Sequence, residues 1–430
     1  YALGIPDPAS FDSVTVVGTT TKTDVETPIT RAYIFTYVSA YSEEGPPSTS
    51  LVSQIVDVFS DQSVTVNFPS NPTGNYNLLK KRLYRTDPNG TFRFVSDVPI
   101  ATDSFNDTVA DANLGESIPS SGWVAPPDND TASHKDGPLL GLVSLPNGFL
   151  AGFTGQTVAF SEAFQPHAFP DEYKLTMKTD IVAIAPLNIG LLVLTKEKPA
   201  IIQGLDPSSM SMSEIDSALS CVSKRSVVDM GDSVMYASPD GLAVARDNGL
   251  SLATEAVLTR DQWQALVPST IVGFMWEGHY LGFYNDGSES KGFIFDPRGG
   301  KNSFVKLDFH ATAGFNDLEE DELYLVVGGA VVKFAEGSVL PFTWKSKKFY
   351  TQRPINPGVA KLECDSYSPN PTLKLFADGA LKHTQTVTSS SLFRLPAGYK
   401  ANEFEIQIEG SVPVNEVCVY ESPGEVGGQS

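Results

Sequence analysis

Ser161, Glu162 and His167 fall within one glycine-punctuated run, LPNGFLAGFTGQTVAFSEAFQPHAFP, from Leu145 to Pro170. A hydroxyl, a carboxylate and an imidazole are the parts of an acyl-transfer triad, which works only where the fold aligns them beside an oxyanion site. Adjacency in sequence supplies no such alignment, and no G-x-S-x-G elbow occurs. Turn and capping roles are therefore expected for this trio. The histidines, His134, His167, His279, His310 and His383, never pair at an H-x-x-x-H or H-E-x-x-H spacing, so no zinc site is expected. Cys221, Cys364 and Cys418 are far apart and odd in number, which indicates neither a disulfide framework nor a zinc ribbon.

Other patterns carry less chemistry. The run DLEEDE, Asp317 to Glu322, lacks the spaced ligands and glycine turn of a calcium loop and reads as a solvated turn, as do NDGSES and DPRGGKNS. VVGGAVV and DPRGGK lie between strands and match no phosphate-cradling glycine motif. SPDGLAV, Ser238 to Val244, has the Asp-Gly turn of a sialidase box without its tryptophan, and Arg225, Arg246, Arg260 and Arg298 are scattered. Trp263, Trp276 and Trp344 are expected as core anchors. An aromatic platform built on Trp276 and Tyr280 would instead mark a glycan-binding or glycan-cleaving propeller, the alternative functional reading. No catalytic, cofactor-binding or metal-ligating residue is assigned, no cofactor is implied, and a non-enzymatic role is expected.

These residues must be held by strands. With 430 residues, 41% hydrophobic, 35 glycines and 30 prolines, the chain has the size for more than one core and the turn density of an all-β protein. Its net charge of −21 argues against recognition of nucleic acid through phosphate contacts. No apolar run nears the roughly 18 residues of a membrane-spanning helix, and no basic-plus-apolar leader opens the chain. Because the first residue is Tyr1, a segment 1–12 continuing from residues upstream is expected.

Residues 13–127 hold short alternating runs, among them SVTVVGT, RAYIFTYVSAYS, SVTVNFP, KRLYRT and FRFVSDV, which predict a β-sandwich. RAYIFTYVSAYS should bury one face and wet the other, and RTDPNGTF should turn on positive φ at Asn89 and Gly90. Residues 128–138 read as a linker. From 139 to 352 about five strand clusters recur, each punctuated by glycine or asparagine turns, the pattern of a β-propeller. In the opening run, Phe149, Leu150, Phe153, Val158 and Phe160 are core candidates. Two stretches carry helical character: PSSMSMSEIDSALSCVSKRS, and TRDQWQALVPST with Thr259 as N-cap. Residues 353–430 predict a small C-terminal sandwich, with a hairpin turn at Asp378 and Gly379 and a half-buried strand at FEIQIEG.

Two resemblances follow from these residues. YIFTYVSAYSEEGPPS (Tyr33 to Ser48) and KRLYRTDPNGTFRFVSDVPIATDSFNDT (Lys81 to Thr108) resemble the aromatic terminal strand and central hairpin of fibronectin type III modules, in a circularly shifted order. Asn147 to Leu150, Gln156 to Ser161 and Pro166 to Pro170 resemble a segment of the tail-nozzle (tail tubular protein B-like) proteins of short-tailed bacteriophages, although the arginine that precedes the leucine there is missing. Much of residues 139 to 421 resembles phage and prophage structural proteins in texture, without a catalytic motif. The second resemblance implies a virion component made in the host cytoplasm: a homo-oligomeric, commonly six-membered ring of a phage tail. Its neighbours would be a portal adaptor and tail fibres or a spike, and its channel would pass DNA without sequence-specific binding. A negative wall would let phosphates slide. An extracellular adhesion protein is the third reading weighed.

Overall fold

The computed structural model of the chain describes residues 4–21, 26–130, 132, 134–299, 303–337 and 339–427. Residues 1–3 and 300–302, parts of the expected N-terminal segment and of the DPRGGKNS turn, lie outside them. The chain divides into two units, Tyr1–Phe334 and Ala335–Ser430.

The first unit opens with a sandwich. Strands Glu44–Pro47, Tyr33–Ser39, Leu78–Thr86 and Phe92–Pro99 form one sheet in that order, and Ser13–Val17, Ser63–Asn67 and Ser104–Asp107 form the other. Tyr33, Phe35, Tyr37 and Leu83 of the first sheet share a core with Val64 and Val66 of the second. Ile5 and Phe11 join the same core, so the described part of the N-terminal segment belongs to the sandwich. Two local expectations fail. All seven residues of Tyr33–Ser39 are buried, because Glu44 folds back over Thr36 on the face expected to be wet and the first blade seats against that hairpin. In the Asp87–Thr91 turn only Gly90 takes a positive φ, +83°, while Asn89 donates its backbone N–H to the Asp87 carboxylate at 2.9 Å.

Residues 140–333 form a five-bladed β-propeller. Four blades are four-stranded antiparallel sheets in sequence order: Leu140–Ser144 to Lys174–Thr176, Ile181–Leu187 to Ser211–Glu214, Val228–Asp229 to Gly249–Leu252, and Val272–Trp276 to Phe304–Leu307. The fifth has three strands, Ala313–Asp317, Glu322–Val327 and Ala330–Lys333. Each successive pair of blades shares an apolar core. Phe153, Val158 and Phe160 meet Leu191 and Val193; Leu192 and Leu194 meet Tyr236 and Ala243; Met235 and Val244 meet Tyr280 and Phe293; Leu281 and Phe283 meet Leu323 and Leu325. Of the core residues expected in the opening run, Phe149, Phe153, Val158 and Phe160 are buried and Leu150 is half-buried.

The two helical expectations part company. Thr259 caps the helix Arg260–Gln264 through a reciprocal capping box with Gln262, and Trp263 anchors it, fully buried, by donating its indole N–H to the Ser238 carbonyl at 2.8 Å. The serine-rich stretch from Pro207 makes only two isolated 3-10 turns, Pro207–Ser209 and Lys224–Ser226, and between them Ser211–Glu214 extends as the fourth strand of the second blade, where pairing with Ala200–Gln203 outweighs a weak helical preference.

The second unit is a sandwich that starts earlier than the expected boundary at 352/353. Phe342–Lys345 and Phe349–Ile355 both pair with Ala401–Gly410, in a five-stranded sheet that also holds Thr372–Ala377 and Ala380–Thr386. Phe393–Arg394, Val359–Cys364 and Val414–Tyr420 form the opposing sheet. Asp378 and Gly379 take φ of 48° and 75° in the expected hairpin turn, and Ala401–Gly410 alternates buried with half-buried residues.

Candidate functional site at the joint between the sandwich and the first blade

The two motifs singled out in the sequence meet at one place. Glu44, the first residue of strand Glu44–Pro47, is buried to 6% exposure, and its carboxylate accepts from Thr36 Oγ1 at 2.8 Å and Tyr84 OH at 2.6 Å. Arg82 Nη1 closes the set at 2.7 Å. Burial and then the bond to Glu44 raise the Tyr84 phenol well above its ordinary range. With its side chain fixed from three directions, Glu44 presents its backbone carbonyl outward. His167, in the loop between strands Thr157–Phe160 and Lys174–Thr176 of the first blade, donates from Nε2 to that carbonyl at 2.8 Å. A carbonyl can only accept, so Nε2 carries the proton, and buried Nδ1 faces no hydrogen-bond partner among the described residues. Trp123 meets the His167 ring edge-on at 5.9 Å, and Phe169 donates its N–H to the Val124 carbonyl at 2.8 Å.

The suspected trio is thus split among three separate jobs. Ser161 Oγ accepts from the Leu150 N–H at 2.9 Å and donates to the Glu162 carbonyl at 3.0 Å, tying two strands of the blade. Glu162 accepts from Tyr173 OH at 3.0 Å. His167 reaches the sandwich. The arrangement locks a joint and aligns no nucleophile with a base.

Beside this lock lies a cavity of about 710 Å³ between the Gly4–Asp7 segment, Val124–Asp130 and Asp171. Partial burial and then the neighbouring Asp171 carboxylate push the Asp7 carboxyl above its usual range, while His134 acts in the opposite sense. His134 Nε2 stands 3.8 Å from Asp128 Oδ1, and Lys174 is paired with Asp171. The linker closes over the blade here: Thr154 Oγ1 donates to the carbonyls of Asp136 and Gly137 at 2.9 and 3.1 Å.

A second polar centre escaped the sequence reading. Arg85 has no exposed side-chain surface and pairs with equally buried Asp107 and with Asp111, while Tyr33 OH donates to Asp107 at 2.8 Å. A signal was present, since Lys81, Leu83 and Arg85 lie opposite Tyr37, Phe35 and Tyr33, placing two cations on the inward face of a strand.

The remaining candidates are dispersed. His279 Nδ1 lies against the Trp276 and Glu277 carbonyls, the His310 ring meets Phe283 edge-on, and His383 sits opposite Leu375 in a hairpin. Among the described residues no three His, Cys, Asp or Glu side chains group as metal ligands. Asp317 turns the DLEEDE hairpin by accepting from the Glu319 N–H at 3.1 Å, and Glu322 pairs with Lys333. Arg225 bonds to the Thr312 carbonyl, Arg260 pairs with Asp240 and Arg298 with Asp296. The imagined platform is missing, because Tyr280 is fully buried with its OH on the Ser226 carbonyl at 2.8 Å, and Trp276 packs on Phe334. Trp344 stands 46% exposed and anchors no core. The cysteines are all free thiols, and burial pushes Cys221 up to about 12.

No protein-family model and no curated protein matches the chain. Among solved structures it is similar to Hsv2 of Kluyvelomyces marxianus (6% identity over 62% of this chain and 69% of that one, TM-score 0.28). It is also similar to the N-terminal domain of Nup159 (11%, 64% and 76%, TM-score 0.31) and to AztD of Citrobacter koseri (10%, 90% and 100%, TM-score 0.30).

Proposed function

We propose that this chain is a structural subunit of a short-tailed bacteriophage tail, one copy of a ring whose channel passes DNA. The observation that carries the assembly part of this reading is the outer face of the fifth blade. Its inner face packs Leu323 and Leu325 on the fourth blade, whereas Phe315 and Val331, on the opposite face, are 65% and 71% exposed. Tyr324 and Val326 join them there at half burial. An apolar sheet face of this kind marks a protein contact. A head-to-tail ring buries such a face on every subunit at once. The sandwich locked to the first blade supplies a stiff body for such contacts, and the charge of −21 suits a wall that does not hold phosphates.

Mass photometry of the purified chain tests the reading. A closed oligomer is expected, and Phe315→Asp with Val331→Asp should return it to monomer with unchanged circular dichroism. A parent chain that stays monomeric at every concentration, or an oligomer that the double variant leaves intact, would defeat this assignment of the contact.

A further inference from the structure

The C-terminal sandwich is open along one side. Its larger sheet ends at Phe342–Lys345 and Phe349–Ile355, and its smaller sheet ends at Val414–Tyr420. Between these edges runs a trough in two stretches of about 440 and 310 Å³ that share Val417. Phe404, Ile406 and Ile408, alternate residues of one strand, line its floor. Trp344 and Phe349 sit opposite Ile408 and Phe404 and point to the same face, yet each is 46% exposed.

Three features agree on the shape of the occupant. The floor side chains repeat every second residue, roughly 6.6 Å, which is the side-chain spacing of an extended chain. Among the described residues Val414–Tyr420 is an edge strand, so half of its backbone groups face the opening without a strand partner there. The rim charge is negative: among the described residues, Glu421 is ion-paired with Arg353 at 3.2 Å, while Glu416 and Glu425 form no ion pair. Lys345 and Lys348 on the facing edge are taken up by Glu405 and Glu403.

We infer that this trough docks one extended segment of another protein, apolar at alternate positions and ending in lysine or arginine, as a fourth strand beside Val414–Tyr420. Backbone hydrogen bonds to the edge hold the segment, its apolar side chains cover Trp344 and Phe349, and its basic ends meet Glu416 and Glu425. Charge disfavours a second copy of a chain carrying −21. This inference stands apart from the ring reading, which concerns the other unit.

The full-length chain is titrated against a fluorescent, end-blocked peptide of alternating valine and threonine with a lysine at each end. Saturable binding is expected, with new amide protection confined to Val414–Tyr420. A backbone N-methylated peptide, which cannot pair with a strand, should bind about tenfold more weakly. Trp344→Ala should weaken binding about tenfold as well, and Glu416→Lys should shift preference to a glutamate-ended peptide. Both substituted side chains are exposed, and circular dichroism reports that the fold is kept. The inference is overturned by an absence of saturable binding, by equal binding of the N-methylated peptide, or by parent-like behaviour of both variants. Self-association abolished by Trp344→Ala would overturn it too, by making a second copy the occupant.

Discussion

Arg85 and Asp107 are wholly enclosed in the sandwich, so neither can recover water if the other is lost. Arg85→Ala should cost about 3–5 kcal/mol, read as a lower urea midpoint, because it strands a buried carboxylate. His167→Ala removes one buried hydrogen bond and leaves the Glu44 carbonyl unpaired, at a cost of about 1–3 kcal/mol by the same measurement. Asp7 gives a pH-dependent prediction of definite sign. Its carboxyl is raised in the folded state, so the folded chain binds that proton more tightly than the unfolded one and is stabilised as pH falls through the raised value. Asp7→Asn should therefore raise Tm at neutral pH, and the gain should vanish at about pH 3, where this carboxyl is largely protonated in the folded and the unfolded chain alike. A Tm difference that persists in acid would point to packing instead. These residues also mark how far the sequence is readable. Ser161, Glu162 and His167 were visible as types, but their separate partners depend on which face of which strand meets them. Glu44 is distant from His167 in sequence, and no local pattern links the two.

At the scale of elements, period-two alternation and turn residues located the blades well, because each blade is a local meander whose strands pair with sequence neighbours. The C-terminal boundary was missed for the converse reason: Phe342–Lys345 pairs with Ala401–Gly410, a distant strand. The Ser211–Glu214 strand was mistaken for helix because its identity comes from its partner and not from its own composition. Gly190 tests how tightly the meanders are drawn. Its φ is +150°, and an added Cβ would stand 2.2 Å from the Ile202 carbonyl oxygen, a backbone atom that cannot swing aside. Gly190→Ala should cost more than about 2 kcal/mol, whereas the exposed Gly287→Ala, strained only by its φ, should cost about 1 kcal/mol. Comparing their thermal midpoints separates steric from conformational cost. Thr259→Ala, which removes the helix cap, should cost about 1 kcal/mol on the same scale.

At the scale of the molecule, five blades share four successive cores, and no apolar cluster among the described residues joins the fifth blade back to the first. The first blade is buttressed by the linker and, through His167, by the sandwich; the fifth presents Phe315 and Val331 to solvent. Such an array behaves as a one-dimensional stack, in which each member is stabilised only by its nearest neighbours. Unfolding should then be directional. The fifth blade should open first, exchange its amides fastest and fray ahead of the global transition, with the fourth next once it loses that neighbour, while the second and third, flanked on both faces and farther from the open end, should be last to go. Native-state hydrogen exchange would display this as a gradient along the sequence, and uniform protection across all blades would contradict it. Burying the outer face of the fifth blade in an assembly would remove the free end from which the stack unzips.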